Sequence, residues 1–471
     1  MKKNIYILII FAALGFTACE EYTDIKPKGK NLLETADELE YLLNYSFNSA
    51  YAFNLRELYD LDNDMYSYGY KQIPPLLNGA VKDLNYTRLT YDVDIDRAAL
   101  TKTDRVYEGI YSIICTRLNM ILEQAPNVSD DPDKVEQLKS EAIVLRAYLH
   151  YILVNIYAKA YNPSTAETDG GIVYMNKVDF ESIPVKSTVA EVYQNMLSDI
   201  NAALESNSLP DRPITAMRVA KGFAYAVKAR ILLSMRDYEN ALVAADSSLL
   251  YNNTLEDHRL FIGAENLIRV GLEAEDNLFF ITSQDYNPTQ CIITSDILTN
   301  YYENGNIIKQ FVGSDGYPIL IEDYGPYYSG IEGSALWYAA DYQQNSAGMN
   351  TSDTYLIKAE CLIRTGKVPA GMDVINYIRE RRINPDTYAS VYAATEADAM
   401  TYLKKVSRVE FLCTWKNFAN IKRWNTEDAY KEDINRNING TIYTLTPDSP
   451  LWIFPFPQSA TNYNLNLTQN Y

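Results

Sequence analysis

Histidine, the commonest catalytic base, is almost missing from this chain: the 471 residues include only His150 and His258. Nucleophilic sites of the Ser-His or Cys-His type need an imidazole beside the nucleophile, so the sequence offers little material for them. Phosphate-binding loops, dinucleotide glycine fingerprints, nucleophile elbows and HExxH motifs are also absent. A pair of catalytic carboxylates for glycoside hydrolysis stays an open alternative, because the 61 acidic residues offer many pairs. We expect a protein that is not an enzyme, with His150 a core or helix-face residue.

Basic residues are outnumbered, with 42 lysines and arginines against 61 acids and a formal net charge of −19. Such a chain repels a phosphate backbone, so nucleic acid is not expected as a partner. Cysteine is scarce as well. Beyond Cys19 there are four, far apart in the sequence, and buried thiols are expected rather than a disulfide framework: Cys115, Cys291, Cys361 and Cys413.

Long apolar runs are missing, and the one at 5–16 is about a dozen residues, shorter than the roughly 20 that span a bilayer. Lys2 and Lys3 precede this run, which is typical of a removable signal peptide over 1–18. Ala18 and Cys19 at its end resemble a lipobox, in which the cysteine is acylated. We predict membrane contact through that lipid anchor alone, with an ordinary secretory signal as the alternative.

What the chain does contain is helical periodicity. Apolar residues recur at steps of three and four over 133–160, which predicts an amphipathic helix. The segment 104–125 is likewise predicted to be a long helix. Thr188 with Glu191 has the signature of a capping box. Two later segments each hold two helical stretches joined by a short break, and they resemble tetratricopeptide (TPR) units. The predicted fold class is mainly α, with TPR-like helix pairs over about 104–250 and 352–425.

Two long inserts, about 51–100 and 252–350, have little helical period and are rich in Tyr, Asn and Gly. Long polar inserts in a compact protein are usually functional. The whole chain has 40 tyrosines, and a tyrosine ring with its polar tip suits contact with sugars or extended peptides. We expect irregular inserts that carry a ligand surface on a helical scaffold.

Four ordered segments resemble the SusD/RagB family of nutrient-binding lipoproteins. They are SEAIVLRAYLHYILVNIYAKAY, TYLIKAECLIRTG followed by INYIRERR, VSRVEFLCTWKNFANIKRWN, and LWIFPFPQSATNYNLNLTQNY. The chain departs from the family pattern at 411–413, at Ser459 and at 464–465. The resemblance implies one SusD-like domain over 19–471. Within these motifs we interpret four residues as links between helices rather than ligand contacts: Arg408, Glu410, Arg423 and Trp424.

The resemblance implies an outer-membrane lipoprotein, exposed at the cell surface, that binds oligosaccharide and delivers it to a SusC-like TonB-dependent transporter. No cofactor is implied. Some members of the family bind peptide, so a RagB-type peptide-binding lid is the alternative. A scaffold that contacts only its transporter is a third hypothesis.

Candidate ligand contacts are chosen by region and by ring chemistry, with packing as the alternative for each. Trp337 is the strongest candidate, because a solitary Trp in a polar insert has little helical core to serve. The candidates from the early insert are Asp64, Tyr66, Tyr68, Tyr70, Tyr86 and Tyr91, and those from the later insert are Tyr324, Tyr327, Tyr328, Trp337 and Tyr338.

Two runs of alternating aspartates raise the question of calcium. The runs are Asp60, Asp62, Asp64 and Asp92, Asp94, Asp96. Oxygen ligands suit a hard cation, but the glycine and the last glutamate of an EF-hand are missing. On a strand, alternate acids would simply face water. No metal is expected, and structural calcium is the alternative.

Overall fold

The computed structural model describes residues 33–47, 51–66, 73–79, 81–179, 181–262, 271–283, 292–310, 320–337 and 345–471. The fold is mainly helical, as the sequence predicts. The α-helices are α1 (Ala36–Leu43), α2 (Arg56–Leu61), α3 (Ile73–Leu77), α4 (Leu84–Thr90), α5 (Arg97–Leu100), α6 (Arg105–Ile113), α7 (Asn119–Gln124), α8 (Pro132–Tyr157), α9 (Val189–Glu205), α10 (Lys221–Ser234), α11 (Tyr238–Tyr251), α12 (Ile307–Gln310), α13 (Tyr324–Ser329), α14 (Thr351–Arg364), α15 (Val368–Glu380), α16 (Glu396–Glu410), α17 (Trp415–Trp424) and α18 (Gln458–Thr461).

The strands are short and lie mostly in the inserts. They are β1 (Met65–Tyr66), β2 (Asn277–Phe279), β3 (Ile292–Ile293), β4 (Leu320–Ile321), β5 (Ala335–Trp337), β6 (Met349–Asn350), β7 (Ile434–Ile438) and β8 (Thr441–Leu445). They form a four-stranded sheet in the order β1-β3-β5-β4 and two two-stranded sheets, β2-β6 and β7-β8.

The central element is α8, which the sequence predicts over 133–160. Asp131 caps its start by accepting a hydrogen bond from the Lys134 backbone at 3.1 Å, and Pro132 occupies the first turn, where a missing N–H costs nothing. Every residue from 144 to 157 is buried. A helix that is buried on all sides belongs inside the protein, and α8 packs against α1, α6, α7, α9 and α10.

The predicted TPR-like pairs are confirmed as α10 with α11 and α14 with α15. The first pair turns at Arg236, whose φ is +65°, and the second at Gly366, whose φ is +79°. Gly371 allows the two helices of the second pair, α14 and α15, to approach each other closely, because a Cβ there would lie 2.5 Å from Ile363 Cγ1. The two pairs pack against each other through α11 and α14.

Arg423, Trp424 and Glu410 link helices or helix ends, as predicted, whereas Arg408 ties α16 to the turn between α2 and β1. Arg423 pairs with Glu360 at 2.7 Å, and the Trp424 indole N–H donates to the same carboxylate at 3.1 Å. Glu410 pairs with Arg382 at 2.7 Å, and Arg408 lies 3.2 Å from an Asp64 oxygen.

Cys361 and Cys413 are buried and Cys115 is half-buried, and no disulfide joins these described cysteines. Cys291 lies outside the described residues. So do the predicted signal at 1–18 and Cys19. Among the described helices, none combines the length and the hydropathy needed to cross a membrane.

Candidate ligand-binding site

The two inserts meet in one small sheet. Strand β1 of the early insert pairs with β3 of the later one, with Met65 opposite Ile293, and β3 pairs in turn with β5. Beneath this sheet lies a second hydrophobic cluster, separate from the main core, that includes Tyr66, Ile292 and Leu336. The inserts are therefore one structured layer on the helical scaffold.

Helix α13, between β4 and β5, carries three tyrosines whose rings contact one another. The ring centroids of Tyr327 and Tyr328 are 5.0 Å apart, and Tyr324 lies 6.4 Å from Tyr327 and 6.1 Å from Tyr328. Tyr327 is 69% exposed and Tyr324 is 42% exposed, whereas Tyr328 packs on the second cluster. We call these three residues the tyrosine patch.

Two glycines fix the position of the patch. A Cβ on Gly325 would lie 2.0 Å from the Ser334 carbonyl oxygen, so only glycine lets α13 lie so close to the residues before β5. Gly330 ends the helix with φ +73°. The rings are thus held on a short helix that is clamped to the sheet.

The hairpin β7–β8 extends this surface, and sequence reasoning missed it. The Asn439 amide donates to the Gly330 carbonyl at 2.9 Å, which ties the hairpin turn to the end of α13. Tyr443 packs on the second cluster, and Ile442 is exposed. The signal was present: Asn439-Gly440 is the commonest two-residue hairpin turn, and both residues have positive φ here.

Tyr86 is half-buried on α4 beside this hairpin. The Lys82 ammonium lies 5.2 Å from its ring centroid. Partial burial raises the pKa of Tyr443, and the neighbouring Tyr86 adds to that rise. The surface around the tyrosine patch therefore draws rings from three distant segments.

Four other sequence candidates are buried: Asp64, Tyr66, Tyr91 and Trp337. The Arg436 guanidinium lies over the rings of Tyr66 and Tyr91, at 5.6 and 4.7 Å from their centroids. These side chains contact the interior of the protein, so in this structure a ligand at the surface does not reach them. The Trp337 side chain packs in the interior, because Trp337 lies on a strand of the sheet and not in an open loop. Tyr68, Tyr70 and Tyr338 lie outside the described residues.

The first aspartate run lies against two buried arginines. Asp60, Asp62 and Asp64 are fully buried, with Arg408 beside Asp64 and Arg436 3.6 Å from Asp60. Burial raises the pKa of Asp64 to about 6, an effect that Arg408 opposes. Over the described part of the chain, no group of three or more His, Cys, Asp or Glu side chains is arranged to hold a metal.

The second run is not a strand. Asp92 pairs with Lys82 at 3.0 Å, and Asp96 caps α5 by accepting a hydrogen bond from the Ala99 backbone at 3.0 Å. Aspartate is favoured at such N-cap positions.

Both histidines are buried. The His150 Nε2 accepts a hydrogen bond from the Met175 N–H at 3.0 Å, so Nδ1 carries the proton and donates to the Arg146 carbonyl at 2.9 Å. Burial lowers the pKa of His150 to about 3. The prediction of a core role for His150 is confirmed. His258 lies 3.0 Å from Glu256, and burial holds its pKa well below the ordinary value.

Two family profiles match the chain. Residues 21–233 match a SusD-like family described as starch-binding and associating with the outer membrane, and residues 335–471 match the SusD family. A SusD-like protein of Formosa agariphila is 27% identical over 210 residues, which is 42% of this chain and 39% of that relative's length.

Solved structures share the whole fold. A SusD superfamily protein from Bacteroides thetaiotaomicron superposes with a TM-score of 0.71 at 17% identity, covering 93% of this chain and 100% of the other. A SusD-like carbohydrate-binding protein from Bacteroides vulgatus gives a TM-score of 0.60 at 16% identity, covering 92% and 97%.

Proposed function

Because this chain belongs to the SusD family, we propose that it is a cell-surface lipoprotein that binds oligosaccharide and delivers it to a SusC-like TonB-dependent transporter. The family is associated with the outer membrane, and Cys19 would supply the lipid anchor. The protein binds its ligand without converting it. The domain runs over 19–471, with the inserts as its ligand-facing layer.

The tyrosine patch is the observation that carries the proposal. The apolar C–H faces of a sugar ring stack on aromatic rings, and the phenol hydroxyls donate or accept hydrogen bonds at the ring edges. Tyr324 and Tyr327 present such rings to solvent on a base fixed by the sheet and the hairpin. Pre-organised rings lose little conformational entropy on binding.

The shape of the patch fits delivery to a partner. A shallow aromatic surface leaves much of a ligand in water, whereas a deep pocket buries most of it. Shallow contact gives moderate affinity and fast release, because affinity differences among related complexes lie mainly in dissociation. A protein that hands its ligand on to a transporter needs that release.

The test uses the chain from Glu20 onward, without the acyl chain, in affinity electrophoresis against plant, host and microbial polysaccharides. Tyr327→Ala is compared with Tyr41→Ala, because both side chains are 69% exposed and Tyr41 lies on α1, against α8. We expect one polysaccharide class to retard the native chain and the Tyr41 variant. The affinity of the Tyr327 variant for that polysaccharide should be about tenfold lower. Digests of the bound polysaccharide should show no new reducing ends.

Two outcomes would count against this proposal. Equal retardation of the two variants would remove the tyrosine patch from the site. Heat from a peptide digest in calorimetry, with no retardation by any polysaccharide, would favour the RagB-type peptide lid.

The anchor is tested separately. Cys19→Ser should move the protein from the outer-membrane fraction to the soluble fraction, and protease added to intact cells should degrade the native protein. Retention of the Cys19 variant in the membrane would refute the lipid anchor.

A further inference from the structure

A cleft of about 470 Å³ lies on the face of α4 opposite Tyr86. Leu84 and Arg88 line the cleft, and because Tyr86 is two residues from each it projects from the other side of the helix. The volume falls in the ~300–1,000 Å³ range of small-molecule sites. The cleft is therefore separate from the tyrosine patch.

The floor of the cleft is apolar. It is formed by Leu55, Leu58 and Leu61 around α2 and by Leu451 and Phe454 from the segment after the hairpin. The four leucines are buried and Phe454 is half-buried. The half-buried Leu84, Val106 and Phe454 supply the apolar surface that a ligand can still cover, so the cleft favours an apolar body on the ligand.

The rim carries a net positive charge although the chain is strongly acidic. Four arginines line the cleft against two acids, which gives +2 locally in a protein of −19 overall. The lining charged residues are Arg56, Arg88, Arg97, Arg105, Glu57 and Asp104. A cleft with low-dielectric walls concentrates this field, so it attracts anions.

Both acids are already engaged. Glu57 pairs with Arg88 at 2.8 Å. Asp104 accepts hydrogen bonds from the Tyr157 hydroxyl at 2.6 Å and from the Val106 N–H at 2.8 Å, so it serves as the cap of α6.

Arg97 is engaged as well, because its guanidinium donates to the carbonyls of Ile453 and Pro450 at 2.8 and 2.9 Å. Arg105 is exposed at the start of α6, and over the described residues it forms no ion pair. It is the guanidinium best placed to receive an anion from solvent.

We propose that this cleft binds a small ligand that carries a carboxylate on an apolar body, with the carboxylate at Arg105 and the body on the leucine floor. A guanidinium and a carboxylate form charge-assisted, often bidentate hydrogen bonds. A short apolar peptide with a free C-terminus presents this chemistry, and a uronate-bearing disaccharide presents the same carboxylate with only the C–H faces of its sugar rings as the apolar part. The proposal does not depend on glycan binding at the tyrosine patch.

The test is calorimetry on the chain from Glu20 onward with two pairs of probes. The first pair is trileucine and trileucine amide, and the second is digalacturonate and its methyl ester. We expect heat from at least one of the two carboxylates and about tenfold weaker binding of its neutral partner, and which carboxylate binds identifies the source. Affinity for the carboxylate should also fall as salt is raised.

Three variants complete the test. Arg105→Gln should weaken the carboxylate about tenfold and leave the neutral partner unchanged, whereas Arg212→Gln, at another exposed arginine, should change neither. Thr103→Trp, at an exposed position on the rim, should fill the cleft and abolish binding of both partners. No heat from either carboxylate, equal affinity for charged and neutral partners, or an unaltered Arg105 variant would overturn the proposal.

Discussion

Glu360 shows how the contacts of one residue stabilise a buried charge in a helical core. The carboxylate accepts two hydrogen bonds from Arg423 at 2.7 Å and one from the Trp424 indole at 3.1 Å. Arg423 lowers the pKa of Glu360 against the opposing effect of burial. These contacts join α14 to α17, so the pair aligns helices that are far apart in sequence.

Removing that charge should be costly. We expect Glu360→Gln to lower the free energy of unfolding by about 3 kcal/mol, because Arg423 is left charged and buried without its counter-ion. Urea unfolding followed by circular dichroism measures this change. Asp428→Asn, which breaks the exposed pair with Lys431, should leave the urea midpoint unchanged. Equal effects of the two substitutions would mean that burial adds nothing to the Glu360 pair.

Asp276 offers a test of how the stability of the fold depends on pH. It lines a cavity of about 80 Å³ that also contains Glu256, His258, Arg382, Glu410 and Lys416. Burial, then the neighbouring Glu256, raises the pKa of Asp276 from 3.8 to about 7, and Arg382 opposes the rise. The folded state therefore holds a proton that the unfolded state releases above about pH 4, and this carboxyl destabilises the fold increasingly between pH 4 and 7.

An uncharged side chain at this position removes the effect. Asp276→Asn should be as stable as the native chain at pH 4, and more stable at pH 8 by about 4 kcal/mol. Urea midpoints at the two pH values measure the difference, and Asp373→Asn, at an exposed position, serves as the control. A stability difference that is the same at both pH values would refute the assignment.

At the scale of elements, the sequence predicted what is local. The cap at Thr188 is an example: its hydroxyl accepts from the Glu191 N–H at 3.2 Å, and Glu191 accepts from the Thr188 N–H at 2.8 Å. The bounds of α8 and the breaks at 236 and 366 were likewise predictable, because period, caps and turn residues act within a few positions.

Apart from the β7–β8 hairpin, whose Asn439-Gly440 turn is a local signal, the misses at this scale are non-local. A strand of two or three residues such as β1 or β5 has no period to read. The partner of β1 lies more than 200 residues further along the chain, and β5 pairs with a strand about 40 residues before it. The burial of Asp64 depends on Arg408, and that of Tyr66 depends on Arg436, which no spacing rule connects to them. Region and ring chemistry therefore selected residues of one layer but did not separate its buried rings from its exposed ones.

The capping box at the start of α9 makes a prediction for a single helix. Thr188→Ala should lower the free energy of unfolding by about 1 kcal/mol, because two N–H groups of the first turn lose partners or a fixed geometry. Thr401→Ala, in the middle of α16 and exposed, should have no such cost. Thermal melts of the two variants make the comparison, and a Thr401 variant that melts as low as the Thr188 variant would contradict the role of the cap.

At the scale of the whole molecule, one core holds the scaffold together. The main hydrophobic cluster includes residues from Ala36 to Leu467, so distant parts of the chain share it. The last residues pack back onto the scaffold, where the half-buried Asn470 amide donates to the carbonyls of Tyr157 and Gly171, each at 2.7 Å. Arg97 lies over the Tyr471 ring at 4.1 Å. Together, Asn470 and Tyr471 join the end of α8, the loop before α9 and the early insert.

Asn470 should therefore matter for the whole fold and not for the tyrosine patch. Asn470→Ala leaves two partly buried carbonyls without their donor, at about 1–3 kcal/mol each, so we expect a loss of about 3 kcal/mol in urea unfolding. The Lys186 ammonium, 2.8 Å from the Asn470 oxygen, loses a partner as well. Asn466→Ala is the matched control, because that side chain is exposed. Polysaccharide retardation should stay the same in both variants below the unfolding transition, since the patch is anchored by the small sheet and the hairpin. A stable Asn470 variant would mean that these last contacts follow the fold and do not support it, and weakened retardation in a folded one would mean that they also hold the ligand-facing layer in place.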